Sequence, residues 1–201
     1  CQFDTVPLGD GDCFAGIPKA VLISGINNFS DNGGNGLEIY SIGNITLNKV
    51  TASYNGGDGA YLNNQRIGVT GVVSVGTVKL LGANQFSHNG DEGIEAFSYG
   101  TITAYNITAE ENTRNGAYLD NCGFDDPVTP LGTGDCLAKV AKPVLILGTN
   151  NFNHNGGVGL WVNSIGSITL NKITASYNTG TGTRVNNQWG NFSNVASIGN
   201  V

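Results

Sequence analysis

Residues 27–64 read NNFSDNGGNGLEIYSIGNITLNKVTASYNGGDGAYLNN. Residues 150–187 read NNFNHNGGVGLWVNSIGSITLNKITASYNTGTGTRVNN, so the same stretch returns later in the chain with most positions kept. Asn and Gly recur between short runs of Val, Ile, Leu and Thr. Internal repetition is typical of solenoids, in which a repeat buries its apolar face only by stacking on its neighbours. This stretch therefore predicts a repeat protein.

The repeating unit is 44 residues long, and the first and third units share 29 of their 44 positions. Within a unit, Asn32 and Gly36 recur as Asn55 and Gly59, so we expect each unit to contain two similar coils of roughly 22 residues. We predict one domain over residues 1–201, with about six coils, belonging to a longer repeat array or polymer. The units are residues 21–64, 78–121 and 144–187, and the connecting loops are residues 1–20, 65–77 and 122–143.

The apolar runs have the period of β-strands. In residues 45–48, Ile45 and Leu47 alternate with polar residues, so the two aliphatic side chains are expected to point inward. The runs are only three to five residues long and are bounded by Gly and Asn, which favour turns. About three such strands per coil, each paired with its counterpart one coil away, predict an all-β, right-handed parallel β-helix.

Two columns of equivalent residues support this fold. An Asn amide carries both a donor and an acceptor, so stacked Asn side chains at one corner can form a ladder along the axis. Phe alternates with Ala at a core position, which lets successive layers interlock without overpacking. The predicted ladder is Asn32, Asn55, Asn89, Asn112, Asn155 and Asn178, and the predicted core stack is Phe29, Phe86 and Phe152, with Ala52, Ala109 and Ala175 between.

Composition excludes several classes of function. The net charge is −6 and the sequence pI is about 4.6, which argues against nucleic acid as a partner. No apolar run approaches the length of a membrane span. Charged residues are only 12 % of the chain.

Four cysteines bracket two of the loops. Cys1 and Cys13 enclose one acidic loop, and Cys122 and Cys136 enclose the other. Two local pairs predict two loop-closing disulfides and an oxidising, extracellular or cell-surface location. Free thiols, a metal site and a lipid-modified Cys1 are the alternatives.

Runs such as residues 35–64, joined by Cys-flanked loops, resemble the β-helix arrays of secreted bacterial surface proteins in the broad pectate-lyase-like superfamily. The resemblance covers essentially the whole chain. It implies a rigid stalk, adhesin or filament segment, and it transfers no catalytic residue to this sequence.

Few residues suggest chemistry. His88 and His154 share one repeat position two coils apart, too far to share a zinc ion, and are interpreted as surface corner residues. Glu38 and Glu95 share an outward position at about 9.5 Å, the upper limit for the carboxylate pair of an inverting glycosidase. We expect a solvated acidic face there. No cofactor is predicted, and the acidic middle unit and the two acidic loops are where calcium would bind.

The aromatic residues Tyr40, Tyr61, Tyr118 and Trp161 are expected to project outward, where they would contact sugars or other proteins. The near-identity of the coils nevertheless favours a structural protein without catalytic residues. We expect it to self-associate end to end into a homopolymer or filament, because unpaired strand edges remain at both ends. The alternative function is polysaccharide binding or cleavage.

Overall fold

A computed structural model describes residues 18–65, 76–122 and 140–187. This part of the chain contains eighteen short strands in three parallel sheets of six strands each, and it contains no helix. Sheet A consists of β1 (Val21–Ile23), β4 (Ile45–Asn48), β7 (Val78–Leu81), β10 (Ile102–Tyr105), β13 (Val144–Leu147) and β16 (Ile168–Leu170). Sheet B consists of β2 (Asn27–Asn28), β5 (Val50–Thr51), β8 (Asn84–Gln85), β11 (Ile107–Thr108), β14 (Asn150–Asn151) and β17 (Ile173–Thr174). Sheet C consists of β3 (Leu37–Tyr40), β6 (Ala60–Asn63), β9 (Ile94–Phe97), β12 (Ala117–Asp120), β15 (Leu160–Asn163) and β18 (Thr183–Asn186).

The chain visits sheets A, B and C in turn, so that three consecutive strands form one coil. Coil 1 is β1–β3 and coil 6 is β16–β18, and every strand pairs in parallel with its equivalent in the next coil. This confirms the predicted β-solenoid of six coils. Within a unit, Leu37 pairs with Ala60 and Val21 with Ile45, so a coil is slightly longer than the sequence analysis predicts.

The core fills the space between the three sheets. In β4 and β6, alternate residues are buried, because successive side chains of a strand point to opposite faces. Ile45, Leu47 and Leu62 are fully buried, as the alternation indicates. Parallel pairing between coils stacks each inward residue on its equivalent, so the core is one continuous column of layers.

The aromatic stack follows the two-coil period. The backbone N–H of Phe29 donates to Thr51 O, that of Ala52 to Gln85 O, and that of Phe86 to Thr108 O, which places the three residues in consecutive layers. Phe86, Phe152, Ala52 and Ala109 are buried. Phe29 and Ala175 lie in the two end layers and are partly buried. Large and small side chains therefore alternate along the axis, as the sequence predicts.

Most of the cysteine prediction is untested, because Cys1, Cys13 and Cys136 lie outside the described residues. Cys122 is fully buried, and its backbone N–H donates to Asp120 Oδ1 at 2.6 Å. The two disulfide pairings stay a prediction.

Replacing Phe86 by Ala tests the alternation of layers. The ring lies between Ala52 and Ala109, which are too small to fill the cavity, so the free energy of unfolding is expected to fall by about 3–5 kcal/mol. Urea unfolding followed by circular dichroism measures this loss. Phe29→Ala is the matched control and is expected to cost clearly less, since Phe29 is only partly buried. An equal loss at both positions would contradict the proposed layering.

Candidate functional site: side-chain columns and end layers

The six asparagines of the predicted ladder stand in one column at the corner between sheets B and C. In each successive pair, Nδ2 of one Asn donates to Oδ1 of the next at 3.0 Å. The backbone N–H of the first Asn donates to the same oxygen at 2.8–3.1 Å. The four central asparagines are at most 3 % exposed. Each Oδ1 therefore accepts two hydrogen bonds from the preceding coil, in a place that water does not reach.

The residue before each ladder Asn has a left-handed backbone conformation. This column is Asp31, Tyr54, His88, Glu111, His154 and Tyr177, with φ between 57° and 62°. Positive φ is uncommon for residues other than Gly. Here it turns the chain at the corner between sheets B and C, directly before the Asn that points into the ladder. The hydrogen bonds of the ladder offset the conformational cost.

The two histidines belong to this left-handed column. His88 stacks on Tyr54 with ring centroids 4.6 Å apart, and His154 stacks on Tyr177 at 5.0 Å. His88 Nε2 lies 2.9 Å from a carboxylate oxygen of Glu111, whose coil separates the two histidines. Both imidazoles are exposed. They act as corner residues, and the structure does not bring them together.

The outer face of sheet C carries the predicted aromatic residues. Tyr61, Tyr118 and Trp161 lie in one column, and Tyr40 lies in the neighbouring column with Phe97. Ring centroids follow one another at 5.1–5.6 Å along the axis, and Arg184 covers the end of the row, 4.6 Å from the Trp161 ring.

These aromatic residues point outward as expected, but the face is less open than the sequence indicates. Tyr40 is 45 % exposed, whereas Tyr61, Tyr118 and Trp161 are half-buried. The Tyr118 hydroxyl donates to Asp120 Oδ2 at 3.1 Å and accepts from Asn163 Nδ2 at 3.1 Å. Polar groups that could orient a sugar are therefore engaged within the protein.

The carboxylates considered for glycoside cleavage flank an aromatic ring. Glu38 pairs with Tyr61, which pairs with Glu95, so the tyrosine occupies the layer between the two carboxylates. Glu38 also accepts a hydrogen bond from the Tyr40 hydroxyl at 2.6 Å. An inverting mechanism needs room for a sugar and a water molecule between its two carboxylates. The layer between Glu38 and Glu95 holds a side chain instead.

A second cluster of carboxylates joins Asp58 to the acidic middle unit, which the sequence analysis named as a place where calcium would bind. Asp58, Asp91 and Glu92 each offer an oxygen, and these three atoms lie within 4.8 Å of one another, close enough to hold a metal ion. Arg114 Nε lies 2.9 Å from Asp91 Oδ1 and balances one charge. Asp58 and Glu92 are 8 % and 6 % exposed.

Asp58 and Glu92 also belong to a continuous hydrogen-bonded column. The Asp58 N–H donates to Asn35 Oδ1 at 2.8 Å, and the Glu92 N–H donates to Asp58 Oδ1 at 3.1 Å. Asn115 Nδ2 then donates to Glu92 Oε1 at 3.0 Å. The carboxylate oxygens of this column accept hydrogen bonds from the next coil, as the amide oxygens of the asparagine ladder accept them from the preceding one.

Burial raises the pKa of both carboxyl groups. The pKa of Asp58 rises to about 6 because burial disfavours its charged form. The pKa of Glu92 rises to about 8, first because of burial and then because its protonated form shares a hydrogen bond with Asp91. The column therefore retains protons that the unfolded chain would release.

One further polar column was missed by the sequence analysis. Asn84 and Asn150 are buried at the corner between sheets A and B, where each Oδ1 accepts the backbone N–H of the preceding coil, from Val50 or Ile107, at 3.0 Å. Their signal was present in the sequence, because Asn27 stands at the same place in the first unit.

The two end layers differ from the interior. Strands β1, β2 and β3 form one edge of the three sheets, and β16, β17 and β18 form the other. Apolar residues that are buried in the middle coils are only partly buried in these layers. They are Val21, Ile23, Phe29 and Leu37 in coil 1, and Leu170, Ile173, Ala175 and Val185 in coil 6.

No family model matches this sequence, and no match was found among curated proteins or solved structures. Within the described ranges, no helix is long and apolar enough to cross a membrane.

Replacing Asn112 by Ala tests the ladder. The substitution leaves the buried N–H and Nδ2 groups of Asn89 without their acceptor, so the free energy of unfolding is expected to fall by at least about 2 kcal/mol. Asn32→Ala is the matched control at the open end, and we expect it to cost under about 1 kcal/mol because no buried donor loses its partner there. Urea unfolding of the two variants measures both losses. A similar loss of unfolding free energy at Asn112 and Asn32 would show that the ladder adds no stability in the interior.

Replacing Glu92 by Gln tests the buried carboxyl column. A carboxyl with a raised pKa in the folded state holds a proton that the unfolded chain has lost, so it contributes less stability as the pH rises from about 4.5 towards 8. The variant is expected to be more stable than the wild type at pH 8 and to show a flatter pH dependence. Thermal unfolding between pH 4 and pH 9 measures both, and parallel curves for the two proteins would refute the raised pKa.

Proposed function

We propose that the chain is a non-catalytic, structural β-solenoid that forms a segment of an extracellular filament, stalk or adhesin, through end-to-end self-association. The observation that carries this proposal is the pair of end layers, whose strands pair with other described strands on one side only and whose apolar residues are partly buried. Unprotected edges are templates for further strands. In a solenoid the natural partner for such an edge is another coil of the same kind.

The use of polar side chains supports a structural role. An active site requires one unusual cluster of residues, whereas most polar side chains of the described residues stand in columns that recur from coil to coil. Asp58 and Glu92, the most strongly perturbed carboxyl groups, accept hydrogen bonds from neighbouring coils. The predicted disulfide loops and the resemblance to secreted surface arrays support the extracellular location.

The alternative is a protein that binds or cleaves polysaccharides. Its support is the aromatic row on sheet C together with Glu38 and Glu95. The ring of Tyr61 between the two glutamates and the internal hydrogen bonds of Tyr118 make this alternative weaker.

Electron microscopy and analytical ultracentrifugation of the purified chain test the proposal. Filaments are expected to form as the concentration rises, with an axial repeat of about 29 Å per copy, since six coils stack at roughly 4.8 Å each. A chain that stays monomeric up to millimolar concentration would contradict self-association.

A glycan-cleavage screen tests the alternative separately. We expect no product from acidic or neutral glycans, with or without calcium, from either the wild type or the double variant Glu38→Gln/Glu95→Gln. Cleavage by the wild type that the double variant lacks would establish an enzyme instead.

A further inference from the structure

We propose that copies of this chain join head to tail, with coil 6 of one copy docking on coil 1 of the next in the same two-coil register that orders the coils internally. This inference rests on the proposed function and specifies its interface. The occupant of each end layer is thus a second copy of this chain. Four features of the end layers support this head-to-tail arrangement.

The first feature is the alternation of core layers. Coil 6 ends with the small side chain of Ala175, and coil 1 begins with the large side chain of Phe29. Inside the protein, the layer after Ala109 contains Phe152, and the layer after Ala52 contains Phe86. Phe29 of the next copy would therefore pack on Ala175 as Phe152 packs on Ala109.

The second feature is an open space beside Gly25. Gly82 and Gly148, the equivalents of Gly25, lie close to the preceding coil. A Cβ added to Gly82 would lie 2.6 Å from Asn48 Oδ1 and 3.0 Å from Lys49 Cγ, whereas a Cβ on Gly25 would have no atom of the described residues within 4 Å. The corner of coil 6 is Asn171–Lys172, the same dipeptide as Asn48–Lys49. In the proposed joint, coil 6 of one copy therefore presents to Gly25 of the next copy the same dipeptide that Gly82 contacts within the chain.

The third feature is the asparagine ladder, which ends in complementary groups. The backbone N–H of every ladder Asn from coil 1 to coil 5 donates to Oδ1 of the following Asn. Among the described residues, nothing accepts the Asn178 N–H and nothing donates to Asn32 Oδ1. Head-to-tail docking pairs these two groups and continues the ladder.

The fourth feature is the pair of glycine positions on either side of the joint. A Cβ on Gly156 would clash with the carbonyl of Thr113 in the preceding coil, whereas a Cβ on the equivalent Gly33 would be in open space. Coil 6 offers Thr179 at the position of Thr113. The contact between Gly156 and Thr113 can therefore be repeated across the joint by Gly33 and Thr179.

Symmetric docking lacks this complementarity. In a joint between two coil 1 faces, both faces would offer the large Phe29 and the ladder acceptor Asn32 Oδ1, with no ladder donor between them. In a joint between two coil 6 faces, both would offer the small Ala175 and the ladder donor Asn178 N–H, with no ladder acceptor. Buried donors and acceptors need partners of the opposite kind, so the ladder gives the assembly a direction.

Engineered cysteines at Asn28 and Thr174 test the register. Both side chains are exposed on sheet B, and Thr174 is equivalent to Thr51 and Thr108, which pair with Gln85 and Asn151 of the following coils. In the proposed joint, Thr174 of one copy lies beside Asn28 of the next, at a spacing that a disulfide can bridge. Under oxidation, the double variant Asn28→Cys/Thr174→Cys is expected to form a ladder of covalent oligomers on a non-reducing gel, beyond any background seen for the wild type.

The single variants test whether the joint is head to tail or symmetric. Asn28→Cys alone should form no covalent dimer, and neither should Thr174→Cys alone. Covalent dimers of a single variant, or filaments of the double variant without cross-links, would overturn the head-to-tail register while leaving the proposed function intact. A wild-type chain that is monomeric by ultracentrifugation would overturn both.

A second variant tests the same interface without cysteine chemistry. Gly33→Leu adds bulk where the isolated chain has open space, so folding is expected to be unaffected. The critical concentration for assembly is expected to rise at least about tenfold, since overpacking of a close contact costs more than one tenfold step in affinity. The control Thr103→Leu adds bulk on the outer face of sheet A in coil 4, away from both end layers, and should leave assembly unchanged. An unchanged critical concentration for Gly33→Leu would contradict the joint.

Discussion

Hydrogen bonding from each coil to the next is the constraint on which the rest of the structure depends. The strands are two to four residues long, and the hydrogen bonds between sheet strands run from one coil to the next. The asparagine ladder adds two hydrogen bonds per coil at one corner, and both reach a single oxygen of the following Asn. Because a slip of one residue would turn every inward side chain outward, this corner also keeps the core layers aligned.

The left-handed residues before the ladder show how local strain and long-range bonding support each other. Tyr54, His88 and Glu111 adopt a backbone conformation that such residues rarely adopt. The turn they make aims the next Asn along the axis, and the ladder then holds the turn in place. Their own side chains are left on the surface, where His88 stacks on Tyr54 and lies 2.9 Å from the Glu111 carboxylate.

The two-coil period follows from packing. A layer of large side chains fits on a layer of small ones, and a glycine corner fits on a corner with a side chain. Six coils form three complete periods, so the last layer is complementary to the first. The same rule that fills the interior therefore leaves two end faces that match each other.

The sequence by itself determined the period, the coil count, the ladder and the Phe–Ala alternation, because each of these is a residue type recurring at a fixed spacing. Only the tertiary structure decided what stands between equivalent residues. It placed Tyr61 between Glu38 and Glu95 and half-buried the aromatic row. It also brought Asp58 together with Asp91 and Glu92, which lie in the next unit of the chain, beyond a connecting loop. Such contacts depend on which coils become neighbours and how much water they exclude, and a one-dimensional pattern carries neither quantity.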